Sequence, residues 1–318
     1  MTRNQIIAAG LALVLIAYSL LNPLRLEHLL MLAALATLWF VSRVTREFVL
    51  VFSPIVAFVW IYDLLRIFSA RAERAVSLSE VREAELAIFG WSADGARIGP
   101  VEFFIDRHHP VLDLIGAAWY SSHMATIIGF GLFLWWTQRR AGVVAHSVRL
   151  HRFMWGFLFV NLIGFLVQVF FPVAPPWYVE QFGYAVPEGA MLGDPGGLAR
   201  VDQLIGFGYF AGIYGKAAYV FGAMPSLHVA YPVWIALNAR SLAGRSAAWF
   251  YASGMAFFAV YFTHHYVLDL VAGAAFSLGA YVLLTRTALA QVPVRIHGML
   301  RAQFLESEQP AQAIEVAA

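Results

Sequence analysis

Two segments of this chain place imidazoles where proton transfer and attack on an electrophile are chemically accessible. They are Pro225-Ser226-Leu227-His228 and Thr263-His264-His265-Tyr266-Val267-Leu268-Asp269. Each lies at the edge of a long apolar run, where a membrane would meet water. His265 and Asp269 are four residues apart, which on a helix puts them on one face, one turn from each other. A carboxylate so placed accepts the imidazole N–H, fixes its tautomer and stabilises the cation that forms when the other nitrogen attacks. His265 is thereby a candidate nucleophile towards phosphorus, with Asp269 as its orienter. Spacing alone does not decide this, because His109-Pro110-Val111-Leu112-Asp113 repeats the pattern. His109 precedes a proline, which disfavours a helical backbone there, so an interfacial or structural role suits it better.

Pro225-Ser226 ahead of an apolar run reads as a helix start, with Ser226 at the N-cap. The free backbone N–H groups of such a start suit a phosphate. His228, in the first turn, is placed to protonate a leaving oxygen as a general acid. Taken alone, His228 is explained better as an interfacial histidine beside a helix cap.

The elements that must carry these residues are membrane helices. Of 318 residues, 61% are hydrophobic and 13% charged, where a soluble domain is about half apolar and a quarter charged. Absence of cysteine excludes disulfides, thiolate metal sites and a cysteine nucleophile, and a net charge of +2 gives no argument for nucleic acid. A spanning helix needs about 20 mostly apolar residues. Eight stretches meet or approach that length: 5–21, 26–42, 48–68, 111–137, 152–171, 227–242, 246–264 and 266–285. The first is read as a retained span rather than a signal peptide, since no small-x-small site follows it. The last two abut and are expected to form a tight helical hairpin.

Sidedness follows the arginines. With the N-terminus inside, the short inner connections and the tail hold Arg3, Arg43, Arg46, Arg139, Arg140, Arg149, Arg152, Arg240, Arg245, Arg286, Arg295 and Arg301. The fold class expected is therefore all-α, a polytopic membrane protein of about eight transmembrane helices with both termini cytoplasmic. This places the 172–226 loop and the 263–268 turn on one outer (periplasmic or lumenal) face, where the two histidine segments can meet. Residues 1–110 form N-terminal spans plus an outer amphipathic segment, 111–290 a catalytic membrane domain, and 291–318 a cytoplasmic tail, partly disordered. Within 73–89, Val81, Leu86, Ile88 and Phe89 stand among charges, as in a helix on the membrane surface or one packed against the spans. Asp63 and Arg66 should pair with each other, and Asn161 and Gln168 should make interhelical hydrogen bonds. His123 reads as a buried, hydrogen-bonded histidine, with a position lining the site as the alternative. The 171–222 stretch is either an ordered lid or a packed interfacial loop with Trp177 and Tyr178 as an aromatic belt.

Pro225-Ser226-Leu227-His228 and His265-xxx-Asp269 resemble the second and third motifs of the type 2 phosphatidic acid phosphatase superfamily. The chain is more similar still to the branch that holds fungal inositol phosphorylceramide synthase. Ala174-Pro175-Pro176-Trp177-Tyr178, Pro195-Gly196-Gly197-Leu198-Ala199-Arg200-Val201-Asp202 and Thr263-His264-His265-Tyr266 carry that similarity. It covers the last five spans, and the first three poorly or not at all. The resemblance implies a six-helix catalytic core and a phosphohistidine on His265, with His228 protonating the departing alcohol and Asp269 orienting. It implies no metal or other cofactor. It further implies a membrane phosphotransferase that moves a phosphorylated head group, inositol phosphate in that branch, from a glycerophospholipid to a ceramide-like lipid alcohol. A lipid phosphate phosphatase using water is the alternative, and a transporter or scaffold would require the histidine motifs to be relics.

The chain departs from the superfamily pattern where a basic residue is expected. Phe258-Ala259 stands in place of Ser-Arg, and Pro175-Pro176-Trp177 in place of the Lys and Arg-Pro element. Phosphate charge still needs neutralising. Arg200 and Lys216 are the only basic residues of the 172–226 loop, so with Ser226 they are the expected substrate- and phosphate-binding residues. Arg200 matches the synthase branch's own arginine, with a salt bridge to Asp202 as the other reading.

The orientation is testable because no native cysteine interferes. A membrane-impermeant thiol reagent applied from outside should label Gly183→Cys and spare Gly142→Cys; the opposite pattern would invert the topology.

Overall fold

The computed structural model describes residues 13, 15–69, 75–185 and 193–306. The chain is mostly helical. Residues 15–21 are helical and lead into α1 (Leu26–Val41) and α2 (Arg43–Leu64), which tightens into a 3₁₀ turn over Leu65–Phe68. A surface layer follows: α3 (Glu80–Phe89), a hairpin of β1 (Trp91–Ala93) and β2 (Ala96–Ile98), and α4 (Pro100–Ile105). The bundle continues with α5 (Pro110–Ser121), α6 (His123–Arg140) and α7 (Val148–Phe170). Three short helices then form a cap: α8 (Pro176–Phe182), α9 (Ala199–Ile205) and α10 (Tyr209–Tyr214). The last elements are α11 (Leu227–Asn238), α12 (Leu242–Tyr261), α13 (Val267–Arg286) and α14 (Val292–Arg301).

Three described helices are long and apolar enough to cross a membrane: Arg43–Phe68, Val148–Phe170 and Val267–Arg286. Other expected spans take a different form, for local reasons. The 111–137 stretch breaks at Ser122, whose Oγ donates to Trp119 O (2.6 Å), turning a would-be helical bond inward. The 227–242 stretch is helical for 12 residues, about 18 Å. That is short of a ~30 Å hydrocarbon layer, but α11 is buried over Val229–Ala236, so protein rather than lipid surrounds it. The expected hairpin of 246–264 with 266–285 is also corrected: α12 and α13 meet at their joint, and each packs along α11. Residues 292–306 are helical rather than a loose tail, and His297 stacks on His151 of α7 with ring centroids 3.8 Å apart. The remainder of the expected tail, 307–318, and part of the first stretch lie outside the described residues. The two-stranded hairpin is a small departure from an all-α chain; its turn places Asp94 (φ 50) and Gly95 (φ 79) in the left-handed region.

Two polar knots hold the bundle. Asp63, 2% exposed, accepts from Tyr18 Oη (2.6 Å), Arg25 Nη2 (2.7 Å) and Arg66 Nε (3.1 Å). The Asp63–Arg66 pair is as expected, but the carboxylate also joins the first two helices to α2. In the second knot Asn161 accepts on Oδ1 from Tyr231 Oη (2.6 Å), linking α7 to α11. Gln168 Nε2 donates to Gly222 O (2.9 Å), at the other end of α7. Trp234 of α11 donates from Nε1 to Phe153 O (3.1 Å), and its ring packs against Gly156, where a Cβ would clash.

Gly156→Ala should therefore destabilise the protein by about 1–3 kcal/mol through overpacking. Thermal unfolding of the detergent-solubilised protein measures this; an unchanged midpoint would mean that Trp234 is not fixed.

Candidate active site

The site is built on the five-residue joint between α12 and α13. α12 closes with two amides on one carbonyl: His264 N–H (3.0 Å) and His265 N–H (3.2 Å) both donate to Ala259 O. Thr263 takes φ 56, an uncommon conformation for a β-branched residue and costly by about 1–3 kcal/mol. The cap holds it there. Trp177 N–H donates to Thr263 O (2.9 Å), and Gly197 N–H to Phe262 O (2.9 Å). Of the two readings of this stretch, the aromatic belt does not form, since Trp177 and Tyr178 of α8 are both buried. The loop itself is tied down by parallel backbone pairing of Ser77 with Val173 and of Val173 with Gly222.

His265 and Asp269 do approach each other, though not as helix-face neighbours. α13 starts at Val267, with Tyr266 as its N-cap, so His265 lies outside the helix. Asp269 turns back to cap the start, accepting from Tyr266 N–H on Oδ2 (2.8 Å), and the same oxygen lies 3.6 Å from His265 Nδ1. Asp269 Oδ1 and His265 Nδ1 have no hydrogen-bond partner among the described residues, and both residues are buried. The gap between His265 Nδ1 and Asp269 Oδ2 is slightly longer than a hydrogen bond.

α11 brings its histidine to the same place. Ser226 precedes the helix at the N-cap position, but its Oγ makes no cap bond and is buried without a partner. Its backbone is pinned instead: Ser226 N–H donates to Asp269 O (2.9 Å), and its carbonyl packs on Gly273, where any Cβ would clash. This contact locks the start of α11 to the start of α13. The N–H groups of Leu227, His228 and Val229 precede the first intrahelical bond, Ala230 N–H to Ser226 O (3.1 Å). The His228 ring centroid is 5.6 Å from that of His265, and His228 stacks on Tyr120 at 4.3 Å.

His123, expected to be structural, is both hydrogen-bonded and part of the site. The helix break at Ser122 points its ring edge-on at His228, 4.4 Å between centroids. Its Nδ1 lies 3.0 Å from Tyr120 O, and since a carbonyl only accepts, Nδ1 carries the proton and Nε2 the lone pair. His264 is sandwiched between Tyr120 and Tyr214 (5.3 and 4.8 Å) and donates from Nε2 to Pro195 O (3.0 Å). Burial pushes its pKa down to about 3, which keeps it neutral.

A cavity of about 500 Å³ joins His123, His228 and His265 to Lys216 and Asp194, and continues between Phe58, Tyr62 and Leu65 of α2 and Phe165 of α7. Of the three expected phosphate ligands, Lys216 lines the cavity, and Arg200 and Ser226 do not. Lys216 is on its wall, and its carbonyl accepts from Arg66 Nη2, tying this wall to the Asp63 knot. Arg200 is not on the lining; it grips Asp113 through Nη2 (2.9 Å) and Nε (3.1 Å) and lies over the Tyr261 ring at 5.2 Å. Asp202 does not pair with it but caps α10, accepting from Phe210 N–H (2.9 Å) and Ala211 N–H (2.8 Å). The second His-x-x-x-Asp pattern is accordingly taken apart. Asp113 serves Arg200, and the exposed His109 caps α5, accepting from Val111 N–H (3.2 Å).

Sequence reasoning also missed Glu85. Its carboxylate is buried and accepts from Val267 N–H (3.0 Å) and Leu268 N–H (3.2 Å), so α3 caps the helix that carries Asp269. Burial raises its pKa, against the effect of those two amides. The signal was present: at helical spacing Glu85 shares a face with Val81 and Ile88, an acid on an apolar stripe.

The sequence has relatives among known proteins. The phosphoinositol dihydroceramide synthase of Bacteroides thetaiotaomicron is 33% identical over 277 residues, 84% of this chain and 87% of that one. The inositol phosphorylceramide synthase catalytic subunit of Schizosaccharomyces pombe is 32% identical over 58% of this chain, and the chain spans 43% of that protein. The inositol phosphorylceramide synthase of Candida albicans is 36% identical over 42% of this chain and 28% of its own length. No solved structure matches this chain significantly. Residues 96–283, which hold the cap, the joint and the cavity histidines His123, His228, His264 and His265, match the model of the PAP2 superfamily, and the chain belongs to that superfamily.

Proposed function

We propose that this membrane protein transfers a phosphorylated head group, inositol phosphate, from a glycerophospholipid to the hydroxyl of a ceramide-like lipid. The observation that carries the reading is the convergence of His228 and His265 on one cavity whose far walls are apolar, with Asp269 buried beside His265. The relatives' names supply the donor and acceptor classes.

In the first half-reaction His265 Nε2 attacks phosphorus and the bond to the diacylglycerol oxygen breaks. His228 gives that oxygen its proton. Attack leaves the His265 ring cationic, and the carboxylate of Asp269 faces its Nδ1–H; the 3.6 Å gap closes as charge develops. In the second half-reaction His228 takes the proton of the lipid alcohol, whose oxygen attacks phosphorus and releases His265. His123 packs edge-on against the His228 ring and limits its rotation. Lys216 supplies positive charge for the phosphate, assisted by the unbonded first-turn amides of α11. Arg200 contributes at one remove, by holding Asp113 and the end of α12. A cavity of about 500 Å³ suits one reacting head group at a time, as two half-reactions through a covalent intermediate require. The same proposal places eight crossings with both ends inside, the last six forming the catalytic core, and the histidine cavity at the outer face. No step calls for a metal.

Purified protein given labelled ceramide with phosphatidylinositol should yield a phosphorylated sphingolipid. His265→Ala and His228→Ala should each lower kcat by at least about 10²-fold, and His265→Ala should form no phosphoenzyme. Phosphate release from phosphatidic acid without any sphingolipid product would replace the reading with a phosphatase, and full turnover by His265→Ala would remove the enzyme reading altogether.

Glu85 gives a pH-dependent outcome. Its raised pKa means that acidification neutralises the cap of α13 sooner than it would an ordinary carboxylate. Activity of the wild type should fall on that acidic limb, with kcat affected more than KM. Glu85→Gln should have lower kcat throughout and lack this component of the limb; identical profiles would show that the cap does not act on His265.

A further inference from the structure

At the membrane face opposite the histidine cavity the structure holds a second cavity of about 410 Å³, lined by Arg240, Arg245, Trp249 and Tyr281. Arg152 of α7 lies over the Tyr281 ring at 5.5 Å, and Arg149, one turn away, donates to Asn238 O (3.1 Å) at the end of α11. Arg152 and Gln168, the latter on the histidine cavity, are 16 residues apart on α7, about 24 Å. The two cavities are therefore separate sites at opposite ends of the bundle.

Sidedness requires positive charge at this end, but it does not require arginines of separate elements to converge on one cavity. Arg240 is near enough to Arg149 and Arg152 for their charges to repel. None of the four has a carboxylate within ion-pair distance among the described residues. Guanidinium groups brought together in this way present forked donors that suit the oxygens of a phosphate. The surroundings distinguish a lipid phosphate from a free one. Trp249 on the cavity is 46% exposed, and Leu242, at the start of the same helix, is 76% exposed, an apolar flank that acyl chains would cover. Trp249 and Tyr281 sit where interfacial aromatics meet head groups.

We propose that this cavity binds the phosphate of an anionic phospholipid head group from the leaflet opposite the histidine cavity. The lipid bridges the α11–α12 connection and α7, and its charge relieves the repulsion among the arginines. The site is independent of the transferase reading, because its ligand is held and not transformed.

The test uses the full chain in detergent, titrated with phosphatidylglycerol, with phosphatidylcholine and with inorganic phosphate, and read by native mass spectrometry and thermal shift. Phosphatidylglycerol should bind and stabilise in preference to phosphatidylcholine. The Arg240→Ala, Arg245→Ala double variant should weaken that binding about thirtyfold. The corresponding double Lys variant should retain most of it, and His265→Ala should bind like the wild type. Unchanged phosphatidylglycerol binding in the double Ala variant would overturn the proposal. Stabilisation by inorganic phosphate equal to that by the lipid would overturn it in favour of a soluble-anion site.

Discussion

The pinning of a five-residue joint between α12 and α13 is the constraint on which the other parts of the site depend. Residues 262–266 carry a left-handed threonine, two adjacent histidines and the N-cap of α13, all in little more than one turn of chain. Such a segment has too few internal bonds to hold itself. Its shape is imposed from outside: by Trp177 and Gly197 from the cap, by Glu85 from the surface layer, and by Ser226 through the carbonyl of Asp269. Each of these contacts is a backbone bond or a carboxylate on backbone amides, so position is set by the main chain rather than by long side chains. The cost of the Thr263 conformation is offset across several elements, which is the usual condition for strain to persist at a reactive site.

The same logic explains why helices outside the superfamily match take part in the site. Asp63 gathers Tyr18, Arg25 and Arg66 in an apolar setting, where a lone carboxylate would be expensive and a paired one is directional. Arg66 then carries that order outward to the backbone at Lys216. α2 supplies Phe58, Tyr62 and Leu65 to the cavity wall. The N-terminal third is thus a wall and a brace for the chemistry.

Part of the site was legible in residue types. Histidines at the ends of apolar runs are costly there, so His228, His265 and Asp269 could be singled out and joined by motif to the superfamily. The His109–Asp113 pattern shows the limit of that reasoning. Its two residues have the same spacing, yet one caps α5 and the other neutralises Arg200. His123 is hydrogen-bonded as expected, but its place on the cavity comes from the break at Ser122, a local competition between a hydroxyl and the helix ladder that hydropathy does not register. Arg200 was the natural phosphate ligand on charge alone, and its partner is an aspartate 87 residues away in sequence.

Composition and periodicity by themselves determined that this is a helical membrane protein, because long apolar runs have few other stable solutions in lipid. Local motifs singled out His228, His265 and Asp269 as the candidates for chemistry, since helix starts and caps are written in adjacent residues. Only the tertiary structure decided which basic residues reach the cavity, that α11 is a short buried helix, and that Glu85 and His123 belong to the site. The reason is physical: those outcomes depend on hydrogen bonds and close approaches between segments far apart in the chain, and no local spacing records which distant partner will satisfy a buried charge.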